Sequence, residues 1–150
     1  MAIQLATLAD SIAALSVDGV RMFDIDEVPS SLSGRVPAII PLASDFITDF
    51  TIEIDSQGGY STAQKTLAYT IHYRLCYAQV GEGRTNKLVH FPDLVAKAML
   101  FLDALLDINT IDGAIDVQPL PITSFGIVND PAEVPYWGCD FALRVMEFDN

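Results

Sequence analysis

His72 and Cys76 are the residues of this chain that first suggest a nucleophile with its base. They share one side of an alternating run, residues 67–77, in which Leu67, Tyr69, Ile71, Tyr73, Leu75 and Tyr77 face one way and Ala68, Thr70, His72, Arg74 and Cys76 the other. Strict alternation predicts a β-strand, and four residues of strand hold two side chains about 13 Å apart. A thiol and an imidazole at that separation cannot exchange a proton, so the pair does not make a nucleophilic centre.

The other chemistry-bearing residues are equally dispersed. Asp24, Asp26 and Glu27 form the densest acidic group, but the turn glycine and terminal glutamate of a calcium loop do not follow at the required spacing. Two cysteines and two histidines scattered along the chain do not supply the clustered ligands that zinc needs. Gly81-Glu82-Gly83 lacks the third glycine of a dinucleotide-binding turn, and there is no phosphate loop ending in Gly-Lys. His90 precedes Pro92 and reads as a turn or capping residue. Cys76 and Cys139 sit inside apolar strand patterns and read as small buried hydrophobes, not as a disulfide. The expectation is therefore no catalytic residue, no cofactor and no metal.

Composition points to assembly. A chain of 150 residues fits one domain, taken as 1–150. Its formal charge of -12, from 8 basic and 20 acidic residues, argues against a dedicated nucleic-acid binder, whose affinity comes from neutralising phosphates. An acidic wall would instead let DNA pass without sticking. Half the residues are apolar (51%) and mean hydropathy is +0.34, yet no apolar run approaches the roughly 20 residues of a membrane span. The surplus apolar surface is expected in subunit interfaces. No basic segment followed by an apolar core opens the chain, so no secretion signal is expected and synthesis in a cytoplasm follows.

The elements that would position these residues follow from hydrophobic period. Leu5, Leu8, Ile12 and Leu15 predict an amphipathic helix stopped by Gly19. Residues 20–28 alternate as a short strand that Pro29 ends. Residues 29–45 carry three prolines around the apolar stretch Val36, Pro37, Ala38, Ile39, Ile40, Pro41 and Leu42, which predicts an edge strand or an extended arm lying on a neighbour. Phe50, Ile52 and Ile54 alternate with Asp49, Thr51, Glu53 and Asp55 as a half-buried strand. A polar stretch carrying Gln57, Tyr60 and Lys65 then forms the tip of a long hairpin with the 67–77 strand. A second helix, opening at Pro92 and Asp93, bears a broad stripe from Leu94 to Leu106 that Leu100 and Phe101 widen toward a subunit contact. Runs 113–120, 122–128 and 139–148 predict further strands. The fold class is α+β: a mostly antiparallel sheet packed by two amphipathic helices, with a proline-bearing arm and a long hairpin.

This layout resembles the tail terminator proteins of tailed bacteriophages, through the Leu8 to Leu15 helix running into Gly19-Val20-Arg21, the Pro37-Ala38-Ile39-Ile40-Pro41-Leu42 segment, the Tyr69-Thr70-Ile71-His72-Tyr73-Arg74-Leu75 strand and the Pro92 to Leu106 helix. The resemblance implies a virion protein, present in the tail or neck, that forms a homo-oligomeric ring, usually a hexamer. Such a ring caps the tail tube, stops its polymerisation and joins it to the head connector and adaptor proteins, with DNA only passing through the lumen and no membrane involved. On that view Val36, Pro37, Ile39, Ile40, Leu42, Leu100 and Phe101 are candidate subunit contacts. Gln57, Tyr60, Lys65, Glu82 and Arg84 are candidate tube or connector contacts, and Thr70, His72 and Arg74 a candidate lumen or subunit face. Another neck, head-completion or minor tail protein shares the same demands; a small ligand-binding or catalytic α+β domain is the remaining class.

Overall fold

The computed structural model describes residues 3–55, 64–81, 86–106 and 115–148. In chain order they form α1 (Leu5–Ala13), β1 (Arg21–Met22), β2 (Ala38–Pro41), β3 (Ile47–Asp55), β4 (Gln64–Gln79), α2 (Asn86–Leu105), β5 (Ile115–Pro119), β6 (Phe125–Asn129) and β7 (Pro135–Phe148). Two helices and a mostly antiparallel seven-stranded sheet make the fold α+β.

The spine of the sheet is the antiparallel pair β4 and β7, of 16 and 14 residues, in register from Thr66 opposite Phe148 to Gln79 opposite Tyr136. Each long strand carries two short ones end to end on its other edge. β2 pairs with β4 at residues 73–76 and β3 at 64–71, while β6 and β5 divide β7 in the same way. β1 adds to β2 as the only parallel pair among the described residues.

Alternation decides which side is core. Tyr69, Ile71, Tyr73 and Leu75 of β4 and Cys139, Phe141, Leu143 and Val145 of β7 point to one face. α1 covers part of it with Leu8 and Ile12, and α2 the rest with Leu94, Ala98, Phe101 and Leu105, the three-and-four spacing of a helical face. The opposite face carries a smaller cluster, Leu32, Ala38, Ile40, Cys76 and Tyr136, roofed by the loop before β2.

One buried carboxylate ties the first helix to the sheet. Glu147 on β7 accepts a hydrogen bond from the backbone N–H of Gln4, the residue capping α1, at 2.8 Å, and another from the Tyr69 hydroxyl. A carboxylate at a helix N-terminus satisfies a free amide and complements the helix dipole. Burial and the adjoining carboxylate raise the Tyr69 pKa well above its ordinary value, which keeps the phenol protonated.

Several elements differ from their sequence-based expectation. The 36–42 segment, expected as an edge strand or an extended arm, contains a strand with neighbours on both sides: Ile39 and Ile40 are buried in it, and Val36, Pro37 and Leu42 are half-buried. Pro37 precedes that strand and Pro41 is its last residue, positions where a missing N–H interrupts no ladder. α2 begins at Asn86, six residues before Pro92, which lies inside the helix. His90 is therefore helical, with its ring 5.6 Å from that of Tyr77. α1 ends at Ala13, and Gly19 with φ +72° instead serves the turn into β1, which keeps only two residues of the expected 20–28 strand. β6 starts at Phe125, not Ile122, and β7 starts at Pro135, not Cys139.

Candidate interaction surfaces

The polar side of β4 was the expected contact face, and the structure finds most of it already engaged. Thr70 is buried and accepts a hydrogen bond from Arg144 Nη1 at 3.2 Å, so it is not available to a lumen or a neighbour. His72 is half-buried, its Nε2 lying 2.7 Å from Thr48 Oγ1. Arg74 stands opposite Asp140 across the β4–β7 pair and binds it through Nε at 2.6 Å and Nη2 at 2.9 Å. Its Nη1 also donates to the Asn129 carbonyl at 3.0 Å, fastening the end of β6. The Asp140 hydrogen bonds raise the Arg74 pKa and keep the guanidinium charged. These groups hold strands together, a role that alternation alone does not distinguish from an open face.

Cys76 and Cys139 are both free and buried, and burial pushes each thiol up to about 12. A thiol held protonated is a poor nucleophile. The two project to opposite faces, since Cys139 is in register with Leu75 and Cys76 with Gly138. Asp10, Asp24 and Asp26 border a small cleft beside α1, and the Asp24 carboxyl hydrogen-bonded to Asp10 raises the Asp10 pKa. Among the described residues no group of three or more His, Cys, Asp or Glu side chains is placed to hold a metal ion.

Among the described residues, two groups of exposed apolar side chains form continuous rows. The first is the row Phe50, Ile52 and Ile54 on β3, 46%, 58% and 50% exposed. It points to the helix-bearing side of the sheet, because Ile52 is in register with Leu67 and the Phe50 ring stacks 5.6 Å from Tyr69, but the helices do not reach it. The strand was expected to be half-buried by this row; alternation identifies the apolar side without saying whether anything lies over it.

The second is on α2. Beside the buried stripe runs another, Leu88, Phe91, Val95, Met99, Leu102 and Leu106, at spacings of three and four residues. Residues so spaced share one bearing on a helix, as the packing seams of paired helices do. Leu88 and Leu106 are 74% and 68% exposed, and Met99 is also exposed. The middle of the stripe forms one wall of an apolar groove of about 430 Å³, with Leu120, Ile122 and Phe125 on the other. Of the residues expected at a subunit contact, Leu100 is exposed but does not line this groove, whereas Phe101 is fully buried against Tyr73 and Phe141. Phe101 is therefore core.

Lys65 is exposed and in register with Ile54. Gln57, Tyr60, Glu82 and Arg84 lie outside the described residues. The Phe50 row and the Leu88 end of the α2 stripe were not among the residues expected at contacts. The excess width of the helical stripe was a signal for the second; nothing in the sequence marked the first as uncovered. No protein-family model matches this chain, and no curated protein matches it either.

Proposed function

We propose that this chain is a structural subunit of a phage tail, of the terminator kind: copies associate into a ring on the end of the tail tube, stop its growth and present a surface to the head connector. The second apolar stripe of α2 carries the reading. It runs the length of a 20-residue helix whose other stripe already builds the core. A helix apolar on two sides is suited to a subunit contact, where burial of each such side chain stabilises by about 1.5–3 kcal/mol. Contacts between two different surfaces of identical subunits close into a ring when the rotation between them closes. The acidic balance, -12 over the chain, suits a lumen through which DNA moves without binding. The layout shared with tail terminators supports the same assignment.

The test is tube polymerisation in the presence and absence of the chain, using the tube protein made with it. Growth that halts when the chain is added supports the reading, and tubes that lengthen regardless contradict it. Gold labelling of assembled virions separates the neighbouring class: a terminator marks the head-proximal end of the tube, a head-completion protein the head vertex.

A further inference from the structure

Among the described residues β3 is an edge strand, as β1, β5 and β6 also are, and it is the edge that carries the exposed Phe50, Ile52 and Ile54 row. Among the described residues β4 is the one strand paired with β3, and Thr51, Ile52, Glu53 and Ile54 are all exposed. An open edge presents backbone N–H and C=O groups to any strand that can lie alongside. Asp49, with φ +54°, interrupts the register between Thr48 and Thr51, so the regular stretch is 51–55, about the length of an average strand. Its two rows differ in character. Ile52 and Ile54, with Phe50 just before them, are apolar, while Thr51, Glu53 and Asp55 alternate with them. Counting Asp45 and Asp49, residues 45–55 hold four acids and no base.

We propose that this edge takes up a β-strand from a different protein, one that alternates large apolar side chains with Lys or Arg. Main-chain hydrogen bonds would hold the added strand, the Phe50, Ile52 and Ile54 row would receive its apolar side chains, and its basic side chains would lie beside Glu53. A second copy of β3 does not fit, because antiparallel self-pairing sets this acidic segment against itself, and like charges across a strand pair repel. The inference stands apart from the ring reading, since it uses β3 and not α2.

The test titrates the whole chain with a fluorescent peptide of about ten residues alternating Val and Lys, beside a twin carrying Glu for Lys, and follows anisotropy and amide hydrogen exchange. Saturable binding of the Lys peptide is expected, with the Glu twin weaker by about tenfold or more and exchange slowed across 51–55. Ile52→Lys and Glu53→Lys should each weaken the Lys peptide by about tenfold, with far-UV circular dichroism and melting temperature unchanged because both side chains are exposed. Equal binding of the two peptides, no binding, or variants that bind as the parent does would overturn the proposal. So would protection of 51–55 that rises with protein concentration in the absence of peptide, which would assign the edge to a second copy.

Discussion

Arg74 and Asp140 face each other across the two longest strands and are joined by two hydrogen bonds, at 2.6 and 2.9 Å. With Arg74 also holding the Asn129 carbonyl, one guanidinium links β4, β7 and β6. A bidentate pair is more directional than a typical surface ion pair, although the Asp140 side chain is 45% exposed and solvent screens it. Arg74→Ala is expected to lower stability by about 1 kcal/mol in urea unfolding. Arg74→Lys should recover little of that loss, because an ammonium cannot reproduce the fork. Full recovery by Lys would mean that charge alone, and not geometry, acts here.

Tyr69→Phe is expected to destabilise by about 1.5–3 kcal/mol, the range for a hydrogen bond to a charged group, because it removes a donor from the buried Glu147 carboxylate. Glu147→Ala should cost more, since it strands both the Tyr69 hydroxyl and the Gln4 amide and opens a space in the core. Hydrogen exchange would place the added opening in α1. Uniform loss across the sheet, with α1 unaffected, would argue that Glu147 does not anchor the helix.

Gly138→Ala is expected to cost about 1–3 kcal/mol or more, as overpacking of a tight site does. A Cβ at Gly138 would lie 1.9 Å from the Leu75 carbonyl oxygen and 2.7 Å from Val128 Cγ2, at a place where β4 and β7 approach closely beside the register shift after Cys76. Thermal unfolding measures the effect. A variant as stable as the parent would show that the strands separate there at little cost.

Alkaline pH should weaken the fold. Burial raises the Cys76 and Cys139 thiols from an ordinary 9.0 to about 12, and burial with the Asp93 hydrogen bond raises the Tyr77 phenol from 10.0 to about 12. Between those values the folded chain keeps protons that the unfolded chain has released, so stability falls as pH rises. The contribution is complete below pH 9 and is lost as pH climbs to about 12. Urea midpoints across that window are expected to decline steadily, and Cys76→Ala with Cys139→Ala should flatten the decline. A thiol reagent at pH 8 should label neither cysteine until the protein unfolds.

How much of this was legible in the sequence depends on what decides each feature. The alternation of β4 and of β7 follows from local period, and both strands were readable, though each extends beyond its most regular part. β2 was expected as an edge strand or an arm because Pro37 and Pro41 argue against a central strand, whereas they stand just before and at the end of four residues that need no N–H from either and that pair on both sides. The start of α2 was misplaced because Pro92 suits a first turn, yet Asn86 to Phe91 continue the helix ahead of it. Burial was the least legible quantity. Phe101 and Leu100 are neighbours in one apolar run, and only the sheet beneath α2 decides that one is core and the other surface. The Phe50, Ile52 and Ile54 row has the pattern of a covered strand, but among the described residues no helix extends over it.

The central proposal is that the chain assembles through α2, and mass photometry with electron microscopy of the purified protein, alone and with the tube protein proposed as its partner, tests it most directly. The account predicts closed rings of a single size, lost when Leu88 and Met99 are both replaced by Asp, with the variant sedimenting as a folded 16.3 kDa monomer. A monomer at micromolar concentration that stays unassembled on the tube, or rings that survive the Leu88→Asp, Met99→Asp change, would contradict it.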